Sequence, residues 1–179
     1  MGVRRLLRLL FCNTDKRKTR LAKKMGVKIG NNCRFLSNPV TIFTTEPYLV
    51  TIGDDVTICN GVHFITHDGG LHVLRKKHPE IDLFQPISVG NNVFIGERTI
   101  ILPGVKIGNN VIIGACSLVN KDIPDNSVWG GVPAHFISTI SEYERKKMAS
   151  RYIVLTKNIP EKDKKQFLSK QYPEWFENR

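Results

Sequence analysis

Between Val105 and Val119 the chain reads VKIGNN, VIIGAC, SLV. Each unit has an aliphatic or small residue, a second apolar residue two places on, and a turn, and it is renewed every six residues. The same unit stands at Val27 (VKIGNN), Val50 (VTIGDD), Val56 (VTICNG), Ile87 (ISVGNN) and Val93 (VFIGER), with looser copies starting at Cys33, Val62, Thr99, Ser117 and Ile123. A period this short, renewed this often, describes stacked, near-identical units and constrains the fold more than any single residue does.

Within a hexad the first and third residues share one face of a short strand, because side chains alternate along it. Gly at the fourth place and Asn or Asp at the fifth and sixth suit a corner that visits left-handed backbone conformations. Three strands and three corners make a triangular coil. Stacked coils pair each strand with the one a coil above, which satisfies the backbone hydrogen bonds. A β-sandwich predicts strands and turns of varying length, not IGNN or IGDD recurring in one phase. The expected class is mainly β, a parallel β-helix over residues 26–137.

The register breaks twice. It slips between Val40 and Val50 through FTTEPYL, and at 67–86 a polar insert, HDGGLHVLRKKHPEIDLFQP, interrupts it. Long irregular inserts in compact domains are more often functional than not.

The net positive charge is confined to the ends. Before Gly26 there are nine Lys and Arg against Asp15, whereas Gly26 to His135 holds eight bases and nine acids, and the remainder ten bases and six acids, within a net +11. Residues 1–25 are expected to form a basic helical segment. The run LLRLLF is too short, and too interrupted by Arg8, for a membrane span or a signal core. With Arg4, Arg5 and Arg8, its apolar residues Leu6, Leu7, Leu9, Leu10 and Phe11 suit either peripheral contact with an anionic membrane or a cap on the open solenoid end. Nothing accompanies the charge that marks a nucleic-acid module. Residues 138–179 turn helical. SEYERKKMASRYIVL is expected as one helix with Ser141 and Glu144 as a capping pair, and DKKQFLSKQYPEWF as a second helix ending before Pro173. Cys12, Cys33, Cys59 and Cys116 show neither CxxC nor zinc spacing, and the last three fall inside hexads as small apolar fillers. With no secretory signal, a reducing cytoplasm is the expected location, with the inner membrane face as an option.

These hexads resemble the hexapeptide-repeat acyltransferases, over roughly Val27 to Ile137. The resemblance implies a single-stranded left-handed parallel β-helix, although crossovers between parallel strands are ordinarily right-handed. It also implies a coenzyme A thioester as acyl donor and a homotrimer with the site between subunits. ITHDGG, followed after the insert by VGNNVFIG, matches the family's layout around its catalytic histidine and places His67 in that role. An imidazole, with a pKa of about 6.5, can take a hydroxyl proton at neutral pH, and such help contributes roughly 10²–10⁴ in rate. Asp68 either orients the ring or begins the turn.

IGACSLVNKDIPDNSVWGGVPAHFI resembles the family's closing coil. By position, Ala115, Asn120 and Lys121 would line the coenzyme, with Gly96 near the thioester. Coil packing accounts for these residues as well. Phe94 stands in place of the usual tryptophan, which keeps stacking but loses an indole donor. His135 stands where Lys or Arg usually follows GVPA. Ser37, Asn38, Glu46 and Tyr48 at the first register break, with Asp68 and Arg75, are the candidate acceptor-side groups. The insert resembles that of the polysaccharide-modifying branch, so the implied activity is acetyl-CoA-dependent O-acetylation of a sugar hydroxyl, without a metal, on a bacterial surface polysaccharide or its precursor.

Three alternatives stay open on the sequence. One is N-acetylation of a nucleotide-linked amino sugar. A second is a metal-dependent hydratase of the β-helix carbonic anhydrase type, for which His67 and His72 have a ligand-like separation while no histidine precedes His63. The third is a scaffold without catalysis.

Overall fold

The computed structural model describes residues 15–43 and 45–176. The basic-apolar run before Asp15, including Cys12, therefore lies outside the described residues. The chain divides into a compact unit Met1–Tyr143 and a smaller one, Glu144–Arg179.

The first unit is a left-handed parallel β-helix with three faces. The first face stacks β1 (Lys28–Ile29), β3 (Val50–Ile52), β6 (Ile87–Val89) and β9 (Lys106–Ile107). The second stacks β2 (Arg34–Phe35), β4 (Thr57–Ile58), β7 (Val93–Ile95), β10 (Val111–Ile113) and β12 (Ser127–Gly130). The third stacks β5 (His63–Phe64), β8 (Ile100–Ile101) and β11 (Leu118–Val119), extended downward by a bridge from Phe43 to Phe64. All these pairings are parallel, and where no insert intervenes each residue pairs three hexads on, as Ser88 does with Lys106 and Phe94 with Ile112. β13 (His135–Thr139) folds back antiparallel on β12 and closes the upper edge of the second face.

The core is the interior of the prism. The first and third residues of each hexad fill it, as in Val27 and Ile29, Val50 and Ile52, Ile87 and Val89, Val105 and Ile107, with Phe35, Phe43 and Phe64 stacked at its wider lower end. Thr99 and Ser117 take the same inward place on the third face, and both hydroxyls donate to the Gly114 carbonyl.

The corners divide their labour differently from expectation. Among the described non-glycine residues, left-handed backbone falls on the sixth place of the hexad at Asn32, Asp55, Asn92, Arg98, Asn110 and Cys116, and also at Asn126. The fourth-place glycine is required by stacking instead, because a Cβ on Gly90 would stand 2.7 Å from the Gly108 backbone. The fifth-place Asn and Asp form a ladder in which the backbone N–H of Asn31, Asp54, Asn91 and Asn109 donates to the side chain one coil up, ending on Asp125. Cys33 and Cys59 are buried fillers, but Cys116 is exposed, because its left-handed corner position turns it out of the prism.

Helix α1 (Asp15–Lys24) closes the lower end. Ala22 is fully buried there, the Lys18 ammonium donates to the Phe35 carbonyl at 2.6 Å, and the Phe35 N–H donates to Asp15 at 3.3 Å. These bonds satisfy edge groups of β2 that no further coil can reach. A four-residue helix, α2 (Pro39–Ile42), and a 3₁₀ turn (Pro47–Leu49) fill the first register break.

Helix α3 (Ile140–Met148) starts from a capping box of Thr139 and Glu142, not Ser141 and Glu144, because β13 ends on Thr139 and leaves it at the cap. It stops at Met148 and does not run on to Leu155. In the smaller unit Tyr152 packs its ring on Tyr172 and Trp175 at 5.8 and 5.5 Å, a tertiary cluster outside any helical register. Helix α4 (Glu161–Gln171) ends before Pro173. Among the described residues no helix is long and apolar enough to cross a membrane.

Candidate active site

Both register breaks leave the prism at one corner, between the third face and the first. The first break follows Phe43 and the second follows Phe64, and these two residues are stacked neighbours. Thr45 and Glu46 therefore lie one coil beneath Thr66 and His67. The insert departs and returns as a narrow antiparallel stem, with Asp68 N–H donating to Leu83, Gln85 N–H donating to Thr66 and a bridge between His67 and Phe84. Its tip holds a 3₁₀ helix, Gly69–Leu74.

The His67 side chain, 37% exposed, presents Nδ1 to Glu46 Oε2 at 3.0 Å. The Thr45 and Thr66 hydroxyls donate to the same oxygen, each at 2.7 Å. Burial pushes the Glu46 carboxyl up, but the bonds from Thr45, Thr66 and His67 together outweigh it and hold the group below the usual carboxylate range. A carboxylate only accepts, so Nδ1 is the donor in this contact, and in the neutral ring that tautomer leaves the lone pair on Nε2. Thr66, almost fully buried, locks this pair to the coil.

His67 opens on a cavity of ≈ 410 Å³ running up the same corner. Leu83, Leu102 and Pro103 supply apolar wall, while Gln85 from the returning arm of the insert and Asn120 from a later coil bring carboxamide side chains. The chain has thus stacked one histidine, its carboxylate and two amides along a single edge.

The other expected site residues are dispersed. Ser37 bonds Asn60, Asn38 caps α2, and Tyr48 is 62% exposed with its backbone and Cβ against Gly26. Asp68 accepts from Gly70 N–H and so begins the turn rather than orienting the ring. Arg75 pairs with Asp82 inside the insert at 2.6 Å. Phe94 lies exposed on the second face, beside a recess of ≈ 370 Å³ with Thr57 and Ile112. Gly96 is a stacking glycine, since its Cβ would stand 2.5 Å from the Ala115 nitrogen. Ala115 itself is exposed at that corner. Lys121 lies 5.3 Å over the Trp129 ring, and His135 is exposed with Nδ1 at 3.4 Å from the Pro133 carbonyl. Of the expected coenzyme residues, only Asn120 shares the cavity with His67. Sequence reasoning missed Thr45, Thr66 and Gln85 and gave Glu46 a different role. The available signal was the phase of the repeat, which places both breaks on one corner. Among the described residues no three His, Cys, Asp or Glu side chains gather where a metal could be held.

The family profile of the bacterial transferase hexapeptide (six repeats) matches residues 86–121. Protein CapG of Staphylococcus aureus is 50% identical over 168 residues, covering 94% of this chain and 95% of that one. A solved galactoside acetyltransferase in complex with coenzyme A superposes with a TM-score of 0.61 at 32% identity, covering 84% of this chain and 86% of that one. The chain belongs to the hexapeptide-repeat transferases. Galactoside O-acetyltransferase of Escherichia coli (strain K12) is a further relative, 41% identical over 120 residues, where this hexapeptide-repeat transferase spans 67% of its own length and 57% of the relative's.

Proposed function

We propose that this hexapeptide-repeat transferase is an acetyl-CoA-dependent O-acetyltransferase whose acceptor is a sugar hydroxyl on a surface polysaccharide or its precursor. The observation that carries the reading is His67 held through Nδ1 by Glu46 at 3.0 Å, at the mouth of a cavity with an apolar wall and two carboxamides. The relatives named galactoside O-acetyltransferase support oxygen rather than nitrogen as the acceptor atom. The polysaccharide acceptor rests on the resemblance of the insert.

In this mechanism Nε2 of His67 takes the acceptor hydroxyl proton as its oxygen attacks the thioester carbonyl. Glu46 stabilises the imidazolium that forms and keeps the ring from rotating. The tetrahedral oxyanion is met by backbone N–H donors. The C–S bond then breaks, the coenzyme A thiolate takes the proton back from His67, and the acetyl ester leaves. Asn120 and Gln85 are suited to bond the amides of the coenzyme's arm. Burial pushes the Cys33 and Cys59 thiols up, which keeps them neutral and poor nucleophiles, so neither is needed as an acyl carrier.

The enzyme acts as a cytoplasmic trimer in this reading. Exposed Leu36, Phe94, Phe136 and Ile137 are apolar area that neighbouring copies would cover. Acetyl-CoA binding by calorimetry, with thiol release, in wild type and His67→Ala provides the test. Binding by both with turnover in wild type alone supports the proposal, and absence of binding in both overturns it.

A further inference from the structure

Helix α1 has two faces with different partners. Asp15, Lys18 and Ala22 meet the first coil, while Lys16, Arg20 and Lys23 stand exposed along another line of the helix, four and three residues apart. This second line, with Arg34 and the corner residues Asn31 and Asn32, borders a groove of ≈ 560 Å³.

The groove is short of negative charge. Asp15 is committed to the Phe35 N–H and, at 3.6 Å, to Arg34. Asp54, one coil up, is taken by the backbone and side chain of Asn31. Among the described residues no carboxylate pairs with Lys16, Arg20 or Lys23. Asn32 occupies the corner place of Asn92 and Asn110, whose amides donate up the stack, yet among the described residues its own amide makes no such bond. Three unpaired cations and an open carboxamide around one hollow suit phosphate oxygens.

We propose that this groove docks the phosphate headgroups of an anionic phospholipid surface, seating the lower end of the solenoid on a membrane. The lipid source is favoured because the residues just before α1, VRRLLRLLF at 3–11, interleave three arginines with apolar side chains. Among the described residues no aromatic ring lines the groove to stack a base, which disfavours nucleic acid. The groove lies at the corner between the first and second faces, whereas His67 opens between the third and the first. Docking therefore leaves the cavity free, and the proposal stands apart from the acetyl-transfer reading.

The test is co-sedimentation of the full chain with vesicles of phosphatidylcholine alone or mixed with phosphatidylglycerol. Binding is expected only to the mixed vesicles and to weaken with salt. Each surface-facing Lys or Arg contributes about fivefold to such binding, so Lys16→Ala with Arg20→Ala and Lys23→Ala should lose on the order of a hundredfold. The melting temperature and the slow hydrolysis of acetyl-CoA should stay unchanged in that variant. A charge-conserving triple, Lys16→Arg with Arg20→Lys and Lys23→Arg, should bind as wild type. Failure of wild type to bind, undiminished binding by the alanine triple, or release from vesicles by millimolar inorganic phosphate at constant ionic strength would each overturn the proposal.

Discussion

Glu46 accepts three hydrogen bonds on one oxygen, and the consequences are separable by measurement. Glu46→Gln replaces an acceptor with a group that can donate to Nδ1 and favour the other tautomer, so Nε2 would carry the proton. The expected outcome is a fall in kcat on the order of 10², with the KM for acetyl-CoA nearly unchanged. His67→Ala should cost roughly 10²–10⁴ in kcat and leave coenzyme binding intact. Stability should respond to pH as well. The folded carboxyl of Glu46 titrates below its unfolded value, so its contribution is full above about pH 4.3 and is lost as pH falls through the lower folded value. Wild type should therefore exceed Glu46→Gln by about 1–3 kcal/mol at pH 7, with melting temperatures converging on acidification.

At the scale of one coil, the fourth-place glycines answer to the coil above rather than to their own φ. A Cβ on Gly90 would meet the carbonyl carbon and oxygen of Gly108 at 2.7 Å, and backbone on both sides cannot give way. Gly90→Ala should therefore cost about 1–3 kcal/mol in denaturant unfolding. Gly69, at the tip of the insert, has nothing within 4 Å of such a Cβ, and Gly69→Ala should stay within about 0.5 kcal/mol of wild type. The hexad made Gly90 visible, and the inward Val and Ile positions were legible to the residue. The allotment of left-handed backbone to the sixth place was not, because Asn and Asp at the fifth and sixth places look alike until their ladders are seen. The capping pair was misread for a related reason: Thr139 is the cap only because β13 pairs with β12 up to that residue.

At the scale of the molecule, the reading requires association. Light scattering of purified protein should give about three times the 20.3 kDa of one chain, and a monomer with full activity would contradict the shared site. The period, the strand phase, the two breaks and the histidine beside the longer break all follow from local order, since a six-residue pattern states its own corners and its own inward face. The company His67 keeps does not follow from local order. Glu46 and Thr45 come from one break, Thr66 from the other and Asn120 from a coil well beyond. Their meeting depends on how many residues each break adds before the chain rejoins the stack. The same stacking gave Arg75 to Asp82, Asn38 to a helix cap and Lys121 to Trp129, uses that residue type alone cannot distinguish from ligand contact. A repeat specifies a ladder from within each rung, but which side chains face one another is a property of adjacent rungs, and that is decided only when the coils are laid on top of each other.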